Sequence, residues 1–224
     1  MSRWFGVLTA LLLVPSLCAA QAQPTNVWQR TFGGNQFDSA QFVQQTHDGG
    51  YFVAGVKRSF GFGRDDFYVL KLDQSGKKLW DKTYGGMYED YPVSGQQTSD
   101  GGFIVVGMTS SFGAGGWDAY IVKLDSNGNK FWEKTFGGTN DDLIGRVVRT
   151  HNGGYVLVGW TKSFGTGGSD VYIVKLDRDG SRQWERTYGG DRDDQAWSVQ
   201  QTNEGGYIVA GWTKSSERAW MAMS

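Results

Sequence analysis

Four aspartates stand at one offset from paired glycines: Asp38, Asp90, Asp142 and Asp194, each four residues after a Gly-Gly. Carboxylates that recur in this way can hold a cation, contact a ligand or exchange protons. Acid–base cleavage of glycosides needs one carboxyl pair at a set separation, and four equivalent positions define no unique pair. The other use of such a residue is turn capping, in which the carboxylate accepts neighbouring backbone N–H groups. That use suits all four, with a cation or ligand site near a common axis as the alternative.

A second set, Asp66, Asp118 and Asp170, is followed five residues later by Lys71, Lys123 and Lys175. An odd spacing puts the two side chains on opposite faces of a strand, so the expected ion pairs run to a neighbouring unit. "DSNGN" at 125–129 and "DRDGS" at 177–181 are similar to the opening of a calcium loop. Such a loop closes on a bidentate acid, and Trp132 and Trp184 stand there instead, while the first copy places Lys77 near the site. His47 and His151 are replaced by Ser99 and Asn203 in the other copies, which marks a turn position rather than a ligand. There is no Cys–His or Ser–His–Asp constellation. "GFGRD" and "GAGGWD" lack the strand before and helix after that a phosphate loop requires. No cofactor or metal is implied. The remaining candidates are aromatic. Trp117, Trp160, Trp197 and Trp212, with Tyr88 and Tyr91, break the repeat described next, and aromatic platforms suit sugar or peptide ligands.

All these residues sit in copies of one unit. "WQRTFGG", "WDKTYGG", "WEKTFGG" and "WERTYGG" begin at Trp28, Trp80, Trp132 and Trp184, always 52 residues apart. Each unit reads as four short strands. In the third these are Leu143–Thr150, Tyr155–Thr161, Val171–Asp177 and 182–190, separated by Gly-rich turns. The apolar runs "YFVAGV", "FIVVGM", "YVLVGW" and "YIVAGW" do not alternate, as expected of a sheet covered on both faces. Four strands in about 50 residues is the period of a propeller blade. The expected fold is an all-β propeller of four-stranded blades, incomplete, with three full 52-residue units and about half of a fourth.

"TFGG", "DGGY", "SFG.GG.D" and "KLD..G...W" resemble the secreted bacterial β-propeller repeats of the SBBP type, from Trp28 to about Ser215. There is a weaker similarity to quinoprotein-type propellers, whose tryptophan-docking motif is one residue longer than "DSNGNKFW". That resemblance implies that Trp80, Trp132 and Trp184 pack across blade interfaces, with Asp73, Asp125 and Asp177 as the turn residues of the motif. It brings no quinone ligands.

The chain has 224 residues, 34 of them Gly and only 3 Pro, with a net charge of −1 and no basic block, so no nucleic-acid surface is expected. Residues 1–22 read as a signal peptide: Arg3, an apolar run too short for a comfortable span, then small residues. The one cysteine, Cys18, lies within it and follows Leu17, which does not suit a lipoprotein signal. Export to the periplasm, cell surface or medium is expected. Residues 23–214 carry the repeats. "SSERAWMAMS" at 215–224 departs from them, and one base inserted into a permissible codon set restores "SFGAGMDGYV", so a frameshift is expected there. An open series of blades leaves faces and edges exposed, favouring self-association. The expected function is a non-enzymatic binding or interaction scaffold, with a protein or glycan at the cell surface as partner. The alternative is a fragment of a carbohydrate-active, glycoside hydrolase-like enzyme.

Overall fold

The structure, a computed structural model, describes residues 28–58 and 63–215 and the backbone of Met221–Met223. The signal-peptide reading falls outside these residues, as does most of the expected frameshifted tail. The described chain is all-β and contains no helix. None of it is a helix long and apolar enough to cross a membrane.

Successive strands pair antiparallel as hairpins, so each unit forms one meander. The first sheet runs β1 (Asp38–Gln45), β2 (Tyr51–Lys57), β3 (Asp66–Leu72), β4 (Lys78–Tyr84). The second runs β5 (Asp90–Gln97), β6 (Phe103–Thr109), β7 (Asp118–Leu124), β8 (Lys130–Phe136). The third runs β9 (Asp142–Arg149), β10 (Tyr155–Thr161), β11 (Asp170–Leu176), β12 (Arg182–Tyr188). The fourth has three strands, β13 (Asp194–Gln201), β14 (Tyr207–Thr213) and β15 (Met221–Met223). Strand β15 belongs to the aberrant tail, yet it occupies the third-strand place. Met223 faces Tyr207 as Leu176 faces Tyr155, although the two lie 47 rather than 52 residues apart.

The first strand of each sheet bulges at one repeat position: Gln41, Val93, Gly145 and Trp197 fall between paired residues. A bulge adds local twist, which helps neighbouring sheets stack. The sheets stack in sequence order, and the first strands β1, β5, β9 and β13 adjoin one another. In sheets two and three, which have a neighbour on each side, the second strands β6 and β10 are buried at all but one position, which is why the apolar runs do not alternate.

Three apolar layers fill the spaces between sheets. Phe52, Phe67, Phe103 and Tyr120 join sheets one and two. Ile104, Ile121, Val147 and Leu157 join two and three. Val156, Ile173, Val199 and Val209 join three and four. No such layer joins sheet four to sheet one among the described residues, so the series is open.

The Asp–Lys expectation is corrected. Lys71 Nζ lies 2.9 Å from Asp48, and Lys123 Nζ lies 2.9 Å from Asp100, each in the first hairpin of the same sheet. Asp118 and Asp170 instead accept backbone N–H groups of their own loops, from Ala114 at 3.0 Å and Thr166 at 2.9 Å. The lysine stem lies along the sheet and its ammonium reaches the hairpin tip, so no neighbouring unit is needed.

Candidate functional site

The strands divide the chemistry between two ends. The hairpin end carries the T-x-x-G-G turns and the K-L-D turns. The loop end carries the Gly-Gly-to-Asp segments and the long S-F-G loops.

At the hairpin end Asp73, Asp125 and Asp177 close Asx turns. Asp177 Oδ1 accepts N–H from Asp179 at 2.9 Å and Ser181 at 2.8 Å, and Asp125 does the same for Asn127 and Asn129. Asp73 adds the Ser75 hydroxyl at 2.7 Å. The indole of the preceding sheet lies over the turn glycine. A Cβ on Gly180, whose φ is +81°, would sit 2.9 Å from the Trp132 ring. Trp80 packs on Phe103 and donates its Nε1–H to Ser126 O, and Trp184 packs edge-on against Tyr207. The tryptophans therefore bridge consecutive sheets. A glutamine ladder at the same end adds polar stitches: His47 N–H donates to Gln97 and His151 N–H to Gln201.

At the loop end Asp90, Asp142 and Asp194 form a buried floor, with Asp38 half-buried at its first edge. Asp90 accepts the Gly86 N–H at 2.8 Å and the Ser111 hydroxyl at 2.8 Å. Asp142 accepts Gly138 N–H at 2.8 Å and the Ser163 hydroxyl at 2.6 Å, and Asp194 accepts Gly190 N–H and Ser215 likewise. Asp38 accepts Gly34 N–H at 2.8 Å. Each floor carboxylate from the second sheet onward faces a carboxylate of the sheet before. Asp118 Oδ1 and Asp142 Oδ2 lie 2.2 and 2.6 Å from the point a Cβ on Gly137 would occupy. Gly137 has φ +153° and leaves that space to the two oxygens. Asp142 Oδ1 is buried with no hydrogen-bond partner. Burial, then repulsion from Asp142, pushes the Asp118 carboxyl above its ordinary range, and Asp170 is raised in the same way by burial and Asp194. Burial also raises Asp90. Burial would push Asp194 up too, but the Thr213 and Ser215 hydroxyls and the Gly190 N–H hold it down. No group of three or more His, Cys, Asp or Glu converges as a metal cage among the described residues.

Above this floor lies a rim that differs between the first two sheets and the last two. Between sheets one and two, Arg58 makes a two-pronged pair with Asp65 at 2.8 and 2.7 Å, and the Tyr91 hydroxyl donates to Asp65 at 2.5 Å. Burial and then Asp65 push the Tyr91 phenol up to about 12. Tyr91 lies 5.6 Å from the Trp117 ring. Further along, Lys162 pairs with Asp141 at 3.0 Å and lies over Trp160, while Lys214 pairs with Asp193 at 2.8 Å and lies over Trp212. Trp212, Tyr88, Phe112 and Phe164 all stand well exposed. Of the sequence candidates, the structure brings Trp117, Trp160 and Trp212 to this rim, over the floor of Asp38, Asp90, Asp142 and Asp194. Trp197 lies elsewhere: it is the bulge residue of β13 and rests on Gly145, its own counterpart in β9.

Sequence reading missed two polar systems. Tyr68, Tyr120 and Tyr172 each donate to an acid thirteen residues on, Asp81, Glu133 and Glu185, at 2.5–2.6 Å. That spacing recurs in all three copies and was available as a signal. The Arg58–Asp65–Tyr91 triad occurs once, so no repeat announces it.

No family model matches the chain. A curated protein, the "Regulatory protein FlaEY" of Caulobacter vibrioides, is 30% identical over 106 residues, which is 42% of this chain. The match spans 11% of that relative's length. A crystal structure of a protein of unknown function from Bacteroides caccae is similar at TM-score 0.49 and 12% identity, over 85% of this chain and 62% of that one.

Proposed function

We propose that the four sheets are blades of a β-propeller of the secreted bacterial repeat type, and that the exported module is a non-enzymatic scaffold binding a protein or glycan through its loop-end rim. The observation that carries this reading is where the repeat fails. The hairpin end repeats Trp80, Trp132 and Trp184 and the turns of Asp73, Asp125 and Asp177, whereas the loop end carries Arg58–Asp65–Tyr91 and Tyr91–Trp117 between sheets one and two and a different set, Lys162–Trp160 and its repeat Lys214–Trp212, on sheets three and four. Exposed aromatic faces beside fixed ion pairs offer stacking and directional hydrogen bonds together, the combination that sugars and peptide segments use. The floor aspartates serve this role indirectly. Asp90, Asp142 and Asp194 each spend one oxygen, Oδ2, on a loop N–H group and a serine hydroxyl, which fixes the rim's backbone.

The test is a glycan and peptide array probed with the chain and with Trp212→Ala and Tyr91→Ala variants. Binding to one class that falls at least roughly tenfold in the variants supports the rim, as expected for losing a contact of about 1.4 kcal/mol. Binding that both variants retain moves the site elsewhere. Turnover of any arrayed glycan would replace the scaffold reading with the glycosidase one.

A further inference from the structure

The two outermost faces of the stack expose the residues that meet inside it. Val43 of β1 is 64% exposed, whereas its counterparts Val147 and Val199 are 2% and 5% exposed. Ile208 of β14 is 53% exposed, whereas its counterparts Phe52, Ile104 and Val156 are all fully buried. The two positions are partners within the repeat. Ile104 and Val147 share the layer between sheets two and three, and Val156 and Val199 share the next. Gly95, the counterpart of Val43 in sheet two, faces Phe52 so closely that a Cβ there would lie 3.3 Å from its ring.

The strands are complementary as well. Sheet four has first, second and third strands and no fourth among the described residues. Against the outer face of sheet one lies a fourth-strand segment without a sheet. Trp28 stacks edge-on with Tyr51, covers Gly76, and joins Phe32 over Leu70 and Leu72. Trp80 does the same on sheet two, against Phe103 and Gly128. Residues 28–34 pair with no strand among the described residues, although their counterparts in β4 do. Sheet one thus already carries the fourth strand that an incoming sheet four lacks.

We propose that a second copy of this chain docks head to tail, laying its sheet four on the outer face of sheet one so that Ile208 meets Val43. The interface continues the one already formed three times between consecutive sheets. It is heterologous: the two surfaces are different, and each copy offers one of each. It does not depend on what the loop-end rim binds.

The experiment uses the full chain and the variants Val43→Asp and Ile208→Asp in sedimentation velocity from about 1 to 100 µM, a range that brackets typical moderate affinities. Wild type is expected to sediment above monomer, with each variant monomeric alone. An equimolar mixture of the two is expected to form a heterodimer that grows no further, because Val43→Asp keeps a sound sheet four and Ile208→Asp keeps a sound sheet one. Both positions are exposed, so circular dichroism should show both variants folded. If either unfolds, Val43→Thr and Ile208→Thr replace them, with association expected to weaken about tenfold each. Monomeric wild type, a single variant that assembles like wild type, or a mixture that stays monomeric would each overturn the proposal.

Discussion

The hairpin end and the loop end are built from the same four strands and the same 52-residue unit, yet they treat symmetry in opposite ways. At the hairpin end Trp28, Trp80 and Trp132 each meet a glycine turn of the next sheet, and each Asx turn is satisfied by its own backbone. The copies there differ only in detail, as where Asn152 stands in place of Asp48 and Asp100. At the loop end the floor repeats throughout, but the rim of the first two sheets, built on Arg58, Asp65 and Tyr91, differs from that of the last two, where Asp141–Lys162–Trp160 recurs as Asp193–Lys214–Trp212. Stacking requires every sheet to offer an apolar surface that fits the next, as where Phe52, Ile104 and Val156 occupy one repeat position, so polar variation is concentrated where solvent faces the chain. Position along the strand therefore separates the surfaces that hold the sheets together from those left free to vary.

Breaking the hairpin end should cost most. Trp132→Ala removes an indole packed across two sheets and is expected to destabilise the fold by roughly 3 kcal/mol, the low end for aromatic truncation in a core. Denaturant titration would measure it, and a loss under about 1 kcal/mol would mean the tryptophan fills space without bridging.

The floor should respond in the opposite sense. Asp118→Asn keeps an acceptor for the Ala114 N–H and turns an amide toward Asp142 in place of a second carboxylate. The folded Asp118 carboxyl titrates above its unfolded value, so wild type loses stability as pH rises through that folded value. The variant escapes this loss. It should melt higher at pH 7, by about 2–4 °C for an effect near 1 kcal/mol, with the gap closing toward pH 4. An equal gap at both pH values would contradict the facing-carboxylate arrangement.

A smaller effect is expected at the third lysine. Lys71 and Lys123 reach an aspartate, but Lys175 finds Asn152 at that position and donates to Leu176 O. Burial pushes its ammonium below the ordinary lysine range. Asn152→Asp should restore the ion pair and add about 0.5–1 kcal/mol at neutral pH. The gain should fade below about pH 4, because the equivalent Asp48, hydrogen-bonded by the Thr46 hydroxyl and then Lys71, is held at about 2 and protonates earlier when unfolded. Least of all, Trp212→Ala should shift stability by no more than about 0.5 kcal/mol while abolishing rim binding. A large loss would place Trp212 in the core and return the loop end to plain structure.

Much of this was legible because three copies vote on each position. The four strands of the third unit, read from Leu143, Tyr155, Val171 and Arg182, coincide with β9 to β12 within a residue or so. Local chemistry was legible too. Asp142 sits four residues after Gly138, and that offset suffices to foresee a carboxylate capping a turn. What lay beyond reach were the partners brought in from other strands: the Ser163 hydroxyl 21 residues on, and Asp118 of the preceding sheet. Sequence spacing fixes which face of a strand a residue occupies. It does not say how far a lysine stem extends along that face, which is why Lys71 found Asp48 in its own hairpin. The rim was half visible. Its aromatics stood out as exceptions, but the Arg58–Asp65 pair occurs in one sheet alone, so no repeat points to it.

One feature bears on how the molecule comes to be folded. Each hydrogen-bonded strand pair joins neighbours in sequence, and each sheet packs on the sheets made just before and after it. Contact order is therefore low for an all-β chain, and a sheet can form soon after its own 52 residues are available. Sheets in such a series gain stability mainly from adjoining ones. The two outermost sheets, with one neighbour each, should open first in hydrogen exchange, and the Val147 and Leu157 layer between sheets two and three should be the last to yield.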